Sequence, residues 1–426
     1  MSIAQKPAGK VRWGIGLLLG AGTVVNYLDR VNISVAGEHM AKQYGWSHTE
    51  LGMLFSAFFW SYTLAQIPVG AILDKTGVKW VNRVGTLLWS IATLLTALLG
   101  GFAGIFIMRM ILGIAEAPAF PANSKATGYW FPLAERGLAT SLFDGAAKFS
   151  NVIGVGVSTW AILNWGWQGA FIVTGLINLV FAIAFWIFYR EPWEHEKLSS
   201  EEREYIEKNG AQVQGQASGA FLDNLLVLFK NRKVWGLTIG FMCYGYSFYL
   251  FLTWLPNYMT QQLHVSMVKG GWYTIIPWVV ATITDILIGG WAVDYFISKG
   301  KDPNKVRKTI LILGMLFGAF ILLEPTTSNP TLQVTYLSIA LGGLAFSAPV
   351  GWSIPALIAP KGMVGSVGAI MNFFNNLMGV LAPIITGVLI DRTGSFNTGF
   401  VIAGVLILFG ILSYVFILGD IVPIEE

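Results

Sequence analysis

The sequence predicts an all-α polytopic membrane protein with twelve transmembrane helices in two six-helix halves. Two observations carry that expectation. Of the 426 residues, 54% are hydrophobic and only 12% are charged, against about 25% charged in an ordinary soluble domain. Half the usual charge cannot coat a water-soluble globule of this size. The apolar residues also arrive in unbroken stretches of about 20, enough for a helix to cross a bilayer, and not in the alternation that marks a membrane β-barrel.

Taken in order, the expected spans are residues 13–36, 50–73, 80–101, 103–126, 137–162 and 168–189, then 234–258, 270–293, 308–324, 332–358, 364–390 and 397–418. Each is an apolar run closed by charged residues, Gly or Pro. The long polar stretch EPWEHEKLSSEEREYIEKNG, followed by GQASG, separates the sixth span from the seventh. The organisation is therefore an N-terminal half (1–189), a cytoplasmic linker (190–233) and a C-terminal half (234–426). Ser199-Ser200-Glu201-Glu202 opens a run with helical charge spacing, which suggests a short Ser-capped surface helix, with a solvated tether as the alternative. Met1–Arg12 carries Lys6, Lys10 and Arg12 but no small-residue cleavage motif, and reads as a cytoplasmic tail before an uncleaved first helix.

Positive residues are retained on the cytoplasmic side of a membrane. With the N-terminus inside, 20 loop and tail Lys or Arg residues fall inside, Lys361 among them, and three (Lys42, Lys269 and Arg392) fall outside. Both termini are expected to be cytoplasmic. The net charge of +4 sits at segment ends, so it is a topology signal and not a nucleic-acid face. The lone Cys243 and the four His residues (His39, His48, His195, His264) form no metal or cofactor motif, and none is expected. Neither GxSxG, HExxH nor a Walker A loop is present, so neither hydrolase chemistry nor ATP-driven pumping is expected.

Gly70-x-x-x-Asp74-Lys75-x-Gly77 closes the second span, and Gly290-x-x-x-Asp294 closes the eighth, six helices later. Such internal repeats place a substrate site between the halves near the bilayer midplane. With this motif stand Asn26-Tyr27-Leu28-Asp29-Arg30, then Phe58-Phe59-Trp60-Ser61-Tyr62 with Gln66 and Pro68. Arg109, Glu116-Ala117-Pro118, Trp130-Phe131-Pro132 and Glu135-Arg136 follow, with Phe251 to Tyr258 and Asn372 in the C-terminal half. On these residues the chain resembles the anion:cation symporter family of the major facilitator superfamily, over nearly its whole length. Its motifs are similar to those of bacterial sugar-acid carriers for galactonate, glucarate and hexuronates. The resemblance implies a monomeric, proton-coupled carrier of a small organic anion in a bacterial inner membrane. It also implies a gating role for Gly70, Asp74, Lys75 and Gly77, and proton carriage by Asp29 and Glu116.

Charges inside a membrane span are costly, so each is a functional candidate. Arg109 and Glu116 are two helical turns apart and share a face, whereas Asp29 and Arg30 point about 100° apart. The arrangement that fits is an Asp29–Arg109 pair across the first and fourth spans, with Arg30 facing the cavity. A static Asp29–Arg109 ion pair is the structural alternative. The guanidinium of Arg30, a planar fork matched to a carboxylate, is the expected substrate anchor. Lys125 is expected to snorkel at a helix end. Hydroxyl contacts are expected from Tyr27, Tyr62, Gln66, Trp352, Ser353 and Asn372, with Asn375 and Asn376 behind them.

Three features depart from the sugar-acid pattern. Asp144 and Lys148 form an i, i+4 pair that is either self-neutralising structure or a source of a second cation for a dianion. Asp285 lies within the eighth span as a titrating group or a packing partner. Phe241, Tyr244, Tyr246, Phe248 and Tyr249 stand where a polar amide could meet a sugar hydroxyl, which keeps an aromatic or other carboxylate in view. An exchanger or uniporter without proton coupling, a sensor derived from a transporter fold and an intramembrane enzyme are the competing functions.

Overall fold

A computed structural model of the chain describes residues 9–132, 135–209, 211, 228–360 and 363–424, without the side chains of Ile67, Ala71, Asp74 and Ser141. Lys6 and Lys361 of the positive-charge tally and the GQASG stretch of the linker lie outside the described residues.

Among the described residues every regular element is helical. Helix α1 spans Val11–Tyr44. The run His48–Leu98 is interrupted at Gly77, whose φ of 78° and ψ of 172° divide it into α2 and α3. A side chain at that φ would be strained, which gives the last glycine of the 70–77 motif a backbone reason. Helix α4 spans Phe102–Trp130, with a break after Glu116 at Ala117-Pro118. The run Arg136–Phe188 is broken at Trp165 and at Gly166 (φ 71°) into α5 and α6. After the linker come α7 (Arg232–Gln262), α8 (Met267–Ser298), α9 (Pro303–Thr326), α10 (Pro330–Ile358), α11 (Val364–Thr393) and α12 (Asn397–Leu418). The chain is thus a twelve-helix membrane fold with six helices on each side of the linker.

Several helices outrun their apolar windows because polar caps begin them early. Asn231, Ser266, Asp302 and Asn329 each accept a backbone N–H of the first turn of α7, α8, α9 and α10, which satisfies donors that a helix start leaves orphaned. In α1 the charged turn with Glu38 and Lys42 carries the helix to Tyr44. Large apolar side chains such as Leu17, Leu64, Val180, Phe188 and Phe416 are more than half exposed. A soluble monomer does not carry apolar surface on that scale, whereas hydrocarbon accepts it at no cost.

The helices form two compact units. One comprises the described residues of Met1–Asn32, Trp60–Gly154 and Ala161–Ala217; the other comprises those of Ile33–Phe59, Val155–Trp160 and Ser218–Glu426. In the first, the linker helix Ser200–Lys208 is capped by Ser199, which accepts from the Glu202 N–H. The alternative of a solvated tether does not hold for this helix. Glu202 is fully buried and pairs with Arg12 at 2.7 Å, and Arg12 also meets Glu135 at 2.7 Å. One buried guanidinium attracts both carboxylates, so the helix docks.

In the second unit, α2 and α11 pack backbone to backbone. A Cβ on Gly52 would lie 2.4 Å from the Pro383 carbonyl oxygen, and one on Gly387 would lie 2.3 Å from that of His48. Asp391 then closes the seam. Its carboxylate accepts the His48 N–H at 3.0 Å, the Thr49 N–H at 2.8 Å and the Thr49 hydroxyl at 2.6 Å, capping the first turn of α2 from another helix.

Candidate functional site

Two adjacent residues of α1 set the geometry of the first unit. Asp29 and Arg30 leave the helix in different directions, and each finds different partners. Arg30, only 4% exposed, turns to α4, where its Nε and Nη2 both donate to Glu116 Oε2 at 3.3 Å. Nη2 also donates to Asn26 Oδ1 at 3.1 Å, one turn back on α1. The guanidinium lies 4.5 Å from the centre of the Tyr27 ring and 5.0 Å from that of Tyr62, so two aromatic faces hold it by cation–π attraction.

Asp29 is fully buried, and its Oδ2 accepts from Asn178 Nδ2 of α6 at 2.6 Å. The expected ion pair with Arg109 is not formed. Arg109 donates from Nη1 to the backbone carbonyl of Asp29 at 2.7 Å instead. Arg109 and Glu116 do reach α1 from one face of α4, at neighbouring residues. The helical phase decides the outcome: Arg109 meets the Asp29 backbone, while the Asp29 side chain points toward α6.

Both carboxyls share one electronic feature. Glu116 Oε1 and Asp29 Oδ1 are buried without a hydrogen-bond partner, while the other oxygen of each is held. A buried polar atom left unsatisfied costs about 1–3 kcal/mol, and protonation relieves the charge on that oxygen. Glu116 also answers a two-pronged cation with a single oxygen. A carboxylate offering one oxygen to each N–H would match the Arg30 fork better.

The remaining expected residues divide between the units. In the first, Gln66 is half-buried on α2 and Lys148 pairs with Asp144 at 2.7 Å on α5. Lys125 donates to the Leu73 carbonyl near the end of α2 at 3.1 Å. Of the 70–77 motif, Gly70 is half-buried, Lys75 is exposed and Gly77 makes the break; the Asp74 side chain lies outside the described residues. In the second unit, Asn376 links Tyr249 to Asn372: it accepts the tyrosine hydroxyl at 2.8 Å and donates to Asn372 Oδ1 at 3.1 Å. Trp352 is largely exposed and meets Phe241 edge to face, and the Ser353 hydroxyl donates to the Val350 carbonyl. Asp285 is buried at the start of the π-helical stretch Asp285–Ala292, a local widening that is frequent at functional positions.

The sequence profile of the Major Facilitator Superfamily matches residues 19–383. The chain belongs to that superfamily. It is a multi-pass membrane transporter and not an enzyme. Over 421 residues it is 46% identical to the uncharacterized transporter YybO of Bacillus subtilis strain 168, covering 99% of this chain and 97% of that protein. It is 36% identical to GarP of Escherichia coli K12, named a probable galactarate/D-glucarate transporter, covering 99% and 98%. It is 32% identical to the D-galactonate transporter of Escherichia coli O6:H1, covering 98% of each. Among solved structures it is similar to a D-xylose-proton symporter, with a TM-score of 0.76, 16% identity and coverage of 97% and 99%. That likeness is one of fold.

Sequence reasoning about this superfamily member missed Asn178 and Asp391. Asn178 left a signal, because an amide in a bilayer span needs a partner. Asp391 left a stronger one. Gly387-x-x-x-Asp391-Arg392-x-Gly394 repeats the spacing of Gly70-x-x-x-Asp74-Lys75-x-Gly77 at the end of α11. Tyr258, Glu324 and Gln333 form a further buried cluster, in which the Glu324 carboxylate accepts from both neighbours; no apolar-pattern argument would have joined them.

Proposed function

We propose that the chain imports a sugar acid together with protons, by alternating access. The observation that carries this reading is the buried pair Arg30–Glu116, in which a permanently charged fork is occupied by one oxygen of an internal carboxylate. A substrate carboxylate and Glu116 compete for that fork. Once the substrate takes it, Glu116 is a buried carboxylate without its cation, and leaving it ionised is expensive. It binds a proton, so substrate and proton load together. Asp29, held by Asn178 and with one oxygen unpartnered, is the second carboxyl we assign to proton carriage.

Tyr27 and Tyr62 hold the guanidinium over their rings. Tyr62, Gln66, Trp352, Ser353 and Asn372 are assigned to the polar and hydroxyl groups of the substrate, and Gly70, Asp74, Lys75 and Gly77 to gating. The relatives named for galactarate, glucarate and galactonate support a hydroxylated carboxylate as the cargo. The charge bias among the loops supports a chain with both termini cytoplasmic, seated in a bacterial inner membrane.

The test is proton influx into proteoliposomes, read by a lumenal pH dye, on addition of galactarate, glucarate, galactonate, glucuronate or a simple aromatic acid. Acidification with a sugar acid is the expected result. Uptake of labelled acid without acidification would overturn the coupling in favour of an exchanger or uniporter. Acidification with the aromatic acid alone would overturn the cargo.

A further inference from the structure

Helix α5 holds a second cation–carboxylate pair in the same unit as Arg30. Lys148 Nζ lies 2.7 Å from Asp144 Oδ2, one helical turn away. The exposure of the two is the reverse of what a peripheral ion pair would have. The Lys148 side chain is 6% exposed and that of Asp144 is 25% exposed, whereas a long lysine on a membrane helix ordinarily carries its ammonium out to water. Here the cation is buried and the acid is the more exposed partner.

Tyr27 connects this pair to Arg30. Its ring lies under the Arg30 guanidinium at 4.5 Å. An aromatic wall runs from Tyr27 to Phe120 at 6.1 Å and on to Phe143 of α5 at 6.0 Å. Beside Asp144, a Cβ on Gly145 would meet nothing within 4 Å, so the turn that carries the acid borders open space. The aromatic wall thus joins the Arg30 position to the turn of α5 that carries Asp144 and Lys148, and each cation is occupied by a carboxylate of the protein itself.

We propose that Lys148 is a second carboxylate contact of the substrate site, released from Asp144 when a dicarboxylate binds, so that Lys148 decides between diacid and monoacid. This rests on the reading of Arg30 as the anchor of the first carboxylate. The exchange costs least on the Asp144 side, because Asp144 is the less buried member of the pair and a less buried charge is less costly to leave without its partner. The dianion replaces both internal carboxylates with one molecule and leaves neither cation buried alone. A monoacid fills only the Arg30 position and leaves Lys148 with Asp144.

The experiment is competition binding of galactarate and galactonate, the diacid and monoacid of one six-carbon skeleton, to the purified protein. Wild type is expected to favour galactarate by about tenfold or more. Lys148→Gln should collapse that ratio toward one, and Lys148→Arg should restore most of it. Asp144→Asn, which removes the internal competitor, should raise it. A ratio unchanged in Lys148→Gln, or a wild type that favours galactonate, overturns the inference. If Lys148→Gln does not fold, an unchanged ratio in Asp144→Asn overturns it equally. Binding of galactonate but not galactarate would sink this inference alone, whereas a wild type that binds no sugar acid would sink the transport reading beneath it.

Discussion

Arg109 holds Asp29 by its backbone: Nη1 donates at 2.7 Å to the Asp29 carbonyl oxygen, while the carboxylate of Asp29 accepts from Asn178 on another helix at 2.6 Å. The cation and the acid are neighbours without forming an ion pair. Arg109 ties α1 to α4 at this point, and one oxygen of the Asp29 carboxyl is left without a hydrogen-bond partner.

Asn178→Leu removes the donor to a fully buried carboxylate while keeping the same branched arrangement of side-chain heavy atoms. The expected cost is about 1–3 kcal/mol, read as a lower melting temperature of the detergent-purified protein. An unchanged melting temperature would mean that the 2.6 Å contact contributes nothing net.

Arg30→Lys should lose most substrate binding, because an ammonium reproduces neither the two-pronged contact nor the stacking on Tyr27 and Tyr62. Glu116→Gln should behave differently. An amide needs no proton to stay neutral, so binding and counterflow persist while proton-driven accumulation disappears. Normal substrate affinity in Arg30→Lys would show that the anion docks elsewhere.

Asp391→Ala uncaps the first turn of α2, where loss of a cap costs about 1 kcal/mol. Gly52→Val drives a side chain into the Pro383 carbonyl, and overpacking of that kind costs about 1–3 kcal/mol. Both variants should lower the melting temperature. In the orientation proposed above this end of α2 faces the outside, and on that reading both should also weaken closure there. Cysteine accessibility at Thr49→Cys, measured in a Cys243→Ser background, should rise in each; no rise would separate the seam from gating.

Glu191, between α6 and the linker helix, is 4% exposed and accepts the Lys79 N–H at 3.1 Å and the Tyr189 hydroxyl at 3.2 Å. Burial pushes its carboxyl above the ordinary carboxylate value. A group with a raised folded-state value stabilises the fold below its unfolded value, about 4.3, and that contribution is lost as pH climbs through the folded value. Glu191→Gln should therefore compare worst with wild type at acidic pH and gain on it toward neutrality. A pH series of melting curves reads the difference, and a constant offset would remove Glu191 from the pH dependence.

The sequence by itself determined the class of protein, its twelve spans and the residues that carry charge into the membrane. Those are properties of composition and length: hydrocarbon tolerates only long uncharged helices, so Asp29, Arg30, Arg109 and Glu116 stand out against their surroundings. Pairwise geometry was another matter. The 3.6-residue period correctly separated Asp29 from Arg30 and put Arg109 and Glu116 on one face, yet it assigned Arg109 the wrong atom of Asp29. Which group a side chain meets depends on the rotation and axial shift of the neighbouring helix, and no local pattern encodes these. The same holds for Glu202, whose helix was legible from its Ser cap but whose burial against Arg12 was not. It holds too for Asp391, whose spacing motif was present in the chain but whose partner, the start of α2, lies more than 340 residues away. Only the tertiary structure brings such groups within hydrogen-bonding distance, because only there do glycine-lined helices approach closely enough for one helix to cap another.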